Sequence, residues 1–577
     1  MRETAGDDPT MIVVGDDALA LNVAAEILAL QGHRVCVLWY ENAEFAHAVE
    51  RIGAQFVAGS PDSAEGLDRA GVREAVTILA LSRDDRLNLH AALRARDANP
   101  QIRIVLRQLN RTLARKVEQN LTNSSVLSPT VHSAATYAAA AVDPACFRGV
   151  QFPEPEGPLA GFVRRKAGDC RVAGLSVAAA ERELAMRILA VDDDIGAARE
   201  AVLAAQSELV MFGEIARLQG ATPRRLPRPR RPPLRRRLRT RLRRLRQRSR
   251  RIDPILVRLA LAALAVFAAA TVYFYVVFGK GWLTAAYFVI TTMTTTGYGD
   301  VTPNRADPSE VIAAMLLMLS GIGFIGIFIA LAAAALTRIQ WVAMQGLRRV
   351  RRHGHIVVCG AGSIGSGVID LLLALDRPLV VVEVAPDTGI VEQARERRFD
   401  LLTGDASRDR TLDLCNLAGA HSLLALTNVD TLNLEIALGA RARNPHLPIV
   451  LRIAGADFAA SIARHFEFET TFSAAALAAP AFAGLSRIAG ARGRVAFAGQ
   501  EFAIGEFTIG DPVRREEVAA GIALALARGD DFALAGDFAK AALGDRALAL
   551  FPLAPFKEGR DTLDAAAERF YGTESPP

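Results

Sequence analysis

The sequence predicts two copies of a doubly wound α/β domain, separated by an α-helical segment that crosses a membrane twice. Two apolar runs, 255–278 and 311–336, carry the first part of this prediction. At about 1.5 Å per residue, each run exceeds the roughly 30 Å hydrocarbon core of a bilayer. The second part rests on a repeat: residues 78–107 and 423–452 are identical at seventeen of thirty positions, at a constant offset of 345. The repeat places one domain copy on each side of the membrane segment.

The predicted domain boundaries follow the repeat and changes in composition. In both copies, β-branched strand-like runs alternate with helix-like segments, which is typical of a parallel sheet covered by helices on both faces. The first domain is expected over 1–148 and the second over 353–493, each followed by a small subdomain, 149–221 and 494–577 respectively. Between them, the predicted order is an Arg-rich linker (222–252), the membrane segment (253–338) and a short connecting linker (339–352).

The basic charge of the chain is concentrated in one segment. The net charge is +6, but residues 224–251 contain sixteen arginines and no acidic residue, so the rest of the chain is net acidic. Leucines recur among these arginines at helical spacing, which predicts an amphipathic helix on an anionic membrane surface. An arm that binds nucleic acid is the alternative. These leucines are Leu234, Leu238, Leu242 and Leu245.

The charges beside the two apolar runs predict their orientation. The arginine segment precedes the first run, and five arginines follow the second run within 338–352. Only Lys280 and Arg305 provide basic side chains between the runs. Basic segments remain in the cytoplasm, so both termini are expected there. The five cysteines are scattered without CxxC spacing, which fits a reduced compartment and argues against disulfides or structural zinc.

A glycine-rich turn marks a candidate nucleotide site in the second copy. A GxGxxG pattern directly follows a strand-like run and opens a predicted helix. Glycines in this arrangement let the backbone approach a pyrophosphate, and an acidic residue ending the next strand accepts hydrogen bonds from ribose hydroxyls. The pattern predicts binding of NAD(H) or another adenine nucleotide, and a tight turn without ligand is the alternative. The predicted binding residues are Gly360, Gly362, Ser363, Ile364, Gly365, Glu383 and Asp405.

The first copy has lost most of this pattern. Gly15 corresponds to Gly360, but a carboxylate at Asp17 would repel phosphates and Leu38 cannot hold a ribose. We therefore expect this copy to keep the fold without binding a dinucleotide in the usual way. Asp16 and Asp17 are a candidate cation site, with a solvated surface pair as the alternative. By the repeat offset, Asp17, Ala20, Leu38 and Ser60 stand where the second copy has Gly362, Gly365, Glu383 and Asp405.

The stretch between the apolar runs has an unusual composition. Residues 291–300 read TTMTTTGYGD, a Thr- and Gly-rich sequence that is a poor helix and a poor strand. Non-helical backbone at membrane depth is tolerated only where it is buried in protein or lines a water-filled cavity. Glycines also permit backbone angles that point successive carbonyls the same way. The stretch therefore predicts a lined passage through the membrane.

This segment resembles the pore of two-transmembrane potassium channels. Residues 295–299, Thr-Thr-Gly-Tyr-Gly, are similar to the TVGYG filter of that family, with Thr296 in place of Val. The resemblance implies a pore helix over 282–294 and four chains around one pore. It also implies that the carbonyls of Thr295, Thr296, Gly297 and Tyr298 hold K⁺, with Gly299 completing the filter and Asp300 at the outer mouth. Because Thr296 departs from the pattern, a less selective cation channel remains an alternative.

The repeated domains resemble regulator-of-potassium-conductance (RCK) domains, which are related to TrkA-N, NAD-binding subunits of potassium uptake systems. The resemblance rests mainly on the second copy, VVCGAGSIGSGVIDLL followed by VVVEV and LTGDA. It implies a homotetramer in which eight such domains form a cytoplasmic ring that opens the pore when ligand binds. It also implies a bacterial inner-membrane protein that is not an enzyme. A membrane-tethered NAD-dependent oxidoreductase is the rival interpretation, but no catalytic acid or base is evident beside the fingerprint.

A cluster of glycines in the second apolar run suggests where the pore could bend. Gly321 and Gly323 lie about two dozen residues past the filter and are predicted to be the gating hinge. Close packing of helices through small residues is the alternative explanation.

Overall fold

The structure is a computed structural model in which the chain divides into two compact units. One unit comprises Met1–Pro223 and Leu347–Pro577, and the other comprises Arg224–Gly346. The predicted Arg-rich linker, 222–252, lies outside the described residues. The described residues are 9–29, 33–108, 111–153, 157–217, 254–279, 281–304, 307–344, 349–468, 470–486, 491–509, 522–528, 531–534, 542 and 544–553.

The first α/β domain is built on a parallel sheet. Its strands are β1 (Thr10–Val14), β2 (Arg34–Trp39), β3 (Gln55–Ala58), β4 (Ala75–Ala80), β5 (Arg103–Arg107) and β6 (Ser124–Leu127). Its helices are α1 (Ala18–Ala29), α2 (Ala43–Arg51), α3 (Ala64–Arg69), α4 (Asp85–Ala98), α5 (Arg111–Asn120) and α6 (Pro129–Val142). The strand order, β3-β2-β1-β4-β5-β6, reverses beside β1, so the turn after β1 lies where such sheets bind ligands.

The first subdomain is an antiparallel sheet in the order β10-β9-β11-β8-β7. Strand β7 begins at Cys146, three residues before the predicted boundary at 149, because the repeat similarity does not mark where the subdomain strand starts. The elements are β7 (Cys146–Gln151), β8 (Leu159–Lys166), α7 (Val177–Leu184), β9 (Arg187–Val191), β10 (Asp194–Ile195) and β11 (Glu208–Glu214).

The membrane unit contains the helices α8 (Pro254–Phe278), α9 (Trp282–Met293) and α10 (Pro308–Met344). Helices α8 and α10 are long and apolar enough to cross a membrane. Helix α10 extends beyond the apolar run at 311–336, because helical backbone hydrogen bonds are satisfied within the helix whether or not lipid surrounds it. A cluster of aromatic side chains, Phe274, Phe278 and Phe288, joins α8 to α9.

The second α/β domain repeats the first, with the strand order β14-β13-β12-β15-β16-β17. Its strands are β12 (His355–Cys359), β13 (Leu379–Glu383), β14 (Asp400–Thr403), β15 (Ala420–Ala425), β16 (Ile449–Ile453) and β17 (Thr470–Ser473). Its helices are α11 (Ser363–Ala374), α12 (Thr388–Glu396), α13 (Asp409–Leu414), α14 (Asp430–Arg443), α15 (Ala456–Phe466) and α16 (Ala474–Leu485), with a 3₁₀ turn at Leu417–Gly419.

The second subdomain is also an antiparallel sheet, in the order β18-β19-β22-β20-β21. Its strands are β18 (Ala491–Phe497), β19 (Gln500–Thr508), β20 (Ile522–Arg528), β21 (Asp531–Leu534) and β22 (Arg546–Pro552). Strand β18 begins before the predicted boundary at 494. The two subdomains share one apolar core, which includes Phe162, Phe212, Phe502 and Leu548.

The two α/β domains exchange their last helices. Helix α6 leaves the first domain and packs on α11 of the second, while α16 leaves the second and packs on α1 of the first. Both exchanged helices are rich in alanine, so their backbones can approach the other domain closely. An added methyl at Gly367 in α11 would lie only 3.2 Å from the Cβ of Ala134 in α6. The predicted fold class, two doubly wound α/β domains flanking a two-helix membrane segment, is confirmed.

Candidate functional site

The filter segment follows directly from the end of α9. The backbone N–H groups of Thr296 and Gly297 both donate to the carbonyl of Thr291, at 2.9 and 3.1 Å, so the chain turns sharply out of the helix. Thr295, Gly297 and Gly299 have φ angles of +58°, +53° and +78°. Glycine adopts such angles without cost, but a β-branched residue does not, so Thr295 is strained. Strain of this kind is concentrated at functional segments.

The outer part of the segment contacts the pore helix through side chains. The ring of Tyr298 stacks on that of Tyr287 in α9, with centroids 6.5 Å apart and planes within 5° of parallel. The hydroxyl of Tyr287 also hydrogen-bonds the side chain of Asp300. Both contacts tie the filter segment to the helix that precedes it.

The glycines predicted as a hinge differ in their surroundings. A methyl added at Gly321 would lie 2.6 Å from the carbonyl oxygen of Met293, the last residue of α9. A methyl added at Gly323 or Gly326 would meet no described atom within 4 Å. Gly321 therefore serves close packing of α10 against the end of the pore helix, which was the alternative explanation for this cluster.

The glycine turn of the second domain contains two glycines that the backbone requires. Gly360 has a φ of +98°, and a methyl on it would lie 3.1 Å from the backbone nitrogen of Thr427. A methyl on Gly365 would lie 2.0 Å from the carbonyl oxygen of Gly360. Gly362 has a φ of −64° and open space where a methyl would be. The turn itself therefore does not require glycine at 362, whereas close approach of a ligand would.

The two predicted acidic residues lie at the ends of adjacent strands. Glu383 accepts hydrogen bonds from the N–H of Ala361, at 2.6 Å, and from that of Val384, at 2.9 Å, so its carboxylate touches the glycine turn. Asp405 accepts from the backbone and the hydroxyl of Ser407, at 3.0 and 2.8 Å. The Ser407 hydroxyl is the main reason that the pKa of Asp405 is lowered.

The first copy holds its own carboxylate where the second copy has open space. Asp17 caps α1, with Oδ1 accepting from the N–H groups of Leu19 (3.0 Å) and Ala20 (3.2 Å). Its Oδ2 accepts from Nη1 of Arg107 at 2.6 Å and from Nε of Arg83 at 3.3 Å. A helix N-terminus with paired guanidinium groups is the environment that a phosphate would occupy. Asp17 thus fills the anion position of the first domain.

These contacts correct one expectation for the first copy. Asp17 is neither solvated nor free for a cation, because its side chain is only 10% exposed and pairs with two arginines. Asp16 is exposed beside it. Among the residues that the structure describes, no three His, Cys, Asp or Glu side chains are grouped to hold a metal ion. Leu38 is fully buried in the core, and Ser60 donates to Asp62 at 2.5 Å, so neither is directed to a ribose.

A cavity of about 710 Å³ lies between the two domains at the glycine turn. It is large enough for a nucleotide. All the predicted nucleotide residues except Gly365, which supports the turn from beneath, line this cavity. The sequence did not reveal that the first domain contributes, although Arg107 and Arg452 occupy the same repeat position and both face the cavity. The first-domain residues that line the cavity include Asp17, Arg83, Arg107, Thr130 and Ser133.

Comparison with known protein families finds matches for the two α/β domains and for the membrane segment. Residues 11–129 and 356–473 match the TrkA-N domain family, and residues 261–338 match the ion channel family. The chain is 26% identical over 198 residues to probable potassium channel protein 2 of Methanocaldococcus jannaschii, covering 31% of this chain and 57% of that protein. It is 25% identical over 182 residues to potassium channel protein 1 of the same organism, covering 30% and 54%. The matched stretches thus span about half the length of these relatives.

Several solved structures align with nearly the whole chain. The GsuK channel bound to NAD aligns with 98% of this chain and 80% of its own, with 15% sequence identity and a TM-score of 0.48.

Proposed function

We propose that the chain is a two-transmembrane channel subunit, with a TrkA-N (RCK) domain before and after its pore segment, and that it conducts potassium under nucleotide control. The filter segment carries this proposal: positive φ angles at Thr295, Gly297 and Gly299 alternate with ordinary backbone between a pore helix and a membrane-spanning helix. An extended chain of uniform handedness points its carbonyls alternately to opposite sides. Alternating handedness therefore favours carbonyls on one side, where they replace the hydration shell of K⁺.

The assembly that this requires is a homotetramer, because one chain contributes one filter strand. Large apolar side chains of α8 and α10 are exposed in the single chain, which supports their contact with lipid or with neighbouring subunits. Four chains bring eight TrkA-N domains, and we propose that these form one cytoplasmic ring. Both termini then lie in the cytoplasm of a cell membrane, and the Arg-rich linker lies against anionic lipid.

The regulatory ligand that the second domain best fits is NAD(H) or another adenine nucleotide. Three features support this ligand: the cavity beside the glycine turn, the carboxylate of Glu383 at its edge, and the open space beside Gly362. To change the pore from 1:99 to 99:1 open, bound ligands must favour one state by about 5.5 kcal/mol in total. Four equivalent sites then supply about 1.4 kcal/mol each, or roughly tenfold in affinity.

A less selective cation channel is the second candidate, because Thr296 adds a hydroxyl that hydrogen-bonds Thr294 at 2.9 Å behind the filter. The rival interpretation, a membrane-tethered oxidoreductase, gives the filter segment and the membrane helices no role. Flux into liposomes containing the purified protein separates these functions. We expect ⁸⁶Rb⁺ or K⁺ uptake that exceeds Na⁺ uptake and that changes when NAD⁺, NADH, ADP or ATP is added. Equal K⁺ and Na⁺ flux would favour the second candidate, and no flux would contradict both.

A further inference from the structure

The cavity beside the glycine turn is built by both TrkA-N domains, and this has a consequence for its ligand. Arg83 and Arg107 of the first domain face the same space as Gly362 and Ser363 of the second. We infer that Arg83 binds the phosphates of a nucleotide held at the second domain's glycine turn, while Arg107 stays paired with Asp17. The inference rests on the nucleotide binding proposed above and specifies which part of the ligand the first domain recognises.

Four helix N-termini converge on this cavity. The first turns of α1, α6, α11 and α16 all contribute lining residues, represented by Leu19, Thr130, Ser363 and Ala474. Each helix N-terminus carries a partial positive charge from the aligned peptide dipoles. Together with the arginines, they favour a ligand with several negative charges in a small volume. A nucleotide with at least two phosphates is the ligand class that meets this requirement.

The second domain lacks a counterpart for one of these arginines. By the repeat offset, Asn428 stands where the first domain has Arg83, and both side chains border the cavity. Arg452, the counterpart of Arg107, donates to the carbonyl of Thr427 at 3.1 Å. No carboxylate within the described residues lies in ion-pair contact with Arg452. The first domain thus supplies an exposed cation, Arg83, at a position where the second domain has the neutral Asn428.

Asp17 forms an ion pair with each of the two arginines, and the two ion pairs differ in distance and burial. Arg107 is 12% exposed, 2.6 Å from Asp17, and fixed by a further bond from Nη1 to the carbonyl of Leu81 at 3.0 Å. Arg83 is 77% exposed and lies 3.3 Å from Asp17, a weak and exchangeable contact. An entering phosphate can therefore take Arg83 while Arg107 still neutralises Asp17. Arg83 then exchanges Asp17 for the phosphate, and the buried carboxylate of Asp17 stays paired with Arg107.

The test compares ADP with adenosine in equilibrium binding to the full chain purified in detergent. Arg83→Gln should weaken ADP binding about tenfold, as expected for loss of a charge-assisted hydrogen bond, and should leave adenosine binding unchanged. Arg73→Gln is the matched control, because Arg73 is also exposed and also pairs with one aspartate, Asp68 at 3.0 Å, but does not line the cavity. Asp17→Asn should strengthen ADP binding several-fold, since it removes a negative charge beside the phosphates.

Each outcome decides between the inference and the function on which it rests. If the wild-type chain binds none of ADP, ATP, NAD⁺ and NADH, nucleotide control and this inference both fail; if it binds ADP no more tightly than adenosine, only this inference fails. If Gly362→Asp abolishes ADP binding but Arg83→Gln binds ADP like the wild type, only the inference is overturned. A loss that ADP and adenosine share equally in Arg83→Gln would also overturn it, because the effect would not depend on phosphate.

Discussion

The hydroxyl of Ser422 in the second domain donates to the backbone carbonyl of Ala141 in the first, at 2.6 Å. The repeat contains the equivalent bond with the domains reversed: the hydroxyl of Thr77 in the first domain donates to the carbonyl of Ser486, at 3.1 Å. Thr77 corresponds to Ser422, and Ser486 corresponds to Ala141, by the offset of 345 residues. Ala141 lies in the last turn of α6 and Ser486 directly follows α16, at helix ends where carbonyls lack a partner within the helix. Each domain therefore completes the helix that the other contributes.

Removing one of these bonds should weaken the pairing of the two domains. Ser422→Ala leaves the buried carbonyl of Ala141 without a donor, and we expect a loss of about 1 kcal/mol in the free energy of unfolding. Chemical denaturation of the purified chain, followed by tryptophan fluorescence and circular dichroism, measures this loss. Thr388→Ala is the control, because Thr388 is exposed. An equal effect of both substitutions would contradict a role for the exchange bond.

The filter glycines provide a second prediction. Gly297→Ala places a side chain on a backbone with a φ of +53°, which costs about 1–2 kcal/mol in the left-handed region. We expect potassium flux into liposomes to fall at least tenfold while the protein still assembles. Gly71→Ala is the matched control, because it carries similar strain at a φ of +81° outside the membrane unit. Unchanged flux in Gly297→Ala would mean that the segment does not form the conduction path.

The two glycines proposed as a hinge should behave differently when each becomes alanine. Gly321→Ala forces the new methyl against the backbone of Met293 and should disturb the filter, lowering flux and K⁺ over Na⁺ preference together. In Gly323→Ala, the added methyl contacts no described atom of the chain, so the substitution only reduces the backbone flexibility of α10. It should change open probability in single-channel recordings without changing ion preference. The same effect on selectivity from both substitutions would argue against Gly323 as the hinge.

The glycine turn allows ligand binding and stability to be separated. Gly365→Ala brings a methyl to 2.0 Å from the carbonyl oxygen of Gly360, so it should lower the thermal midpoint by several degrees and also abolish nucleotide binding. Gly362→Ala fits the backbone and fills only ligand space, so it should weaken nucleotide binding while the midpoint stays within about one degree. Thermal unfolding and equilibrium binding on both variants check this. A destabilised Gly362→Ala chain would contradict the proposed role of open space there.

Acidification should destabilise the second domain through His355. Burial lowers the pKa of this fully buried imidazole, an effect that the hydrogen bond with the carbonyl of Cys415 and the carboxylate of Asp400 only partly oppose. The unfolded chain, whose histidines titrate near about 6.5, then binds a proton more readily than the folded chain, so lowering the pH favours unfolding. The thermal midpoint should fall between pH 7 and 5.5, and His355→Gln should reduce that fall. The exposed His446→Gln is the control, and an unchanged fall in His355→Gln would contradict the assignment.

Much of this fold could be predicted because strong local patterns specify it. Strands β1 and β12 are continuous apolar runs that end in glycine, and the 345-residue offset aligns the two domains without a gap. Ion-channel and TrkA-N matches confirm the family resemblance drawn from the filter and the glycine turn. The helix bounds differ by a few residues, since sequence composition marks where lipid begins rather than where helical hydrogen bonding ends.

The shared cavity could not be predicted, because it depends on contacts between residues far apart in the chain. Asp17 was expected to bind a cation or to be solvated, since nothing local shows that Arg107, ninety residues later, would lie 2.6 Å from it. The exchange of α6 and α16 likewise leaves no trace in composition, because an alanine-rich helix packs equally well on its own domain. The repeat did align Arg107 with Arg452, and that correspondence was the available signal for cationic side chains at this position.

The helix exchange joins two unlike halves within one polypeptide. In a symmetric homodimer, every substitution appears twice, so neither half can specialise without the other. Here Asp17 alters one half alone while Gly362, its counterpart, stays open in the other. Covalent linkage also fixes the ratio of the halves at one to one and keeps them at high effective concentration. A single chain therefore lets one half change at this position while the other half keeps its open glycine turn.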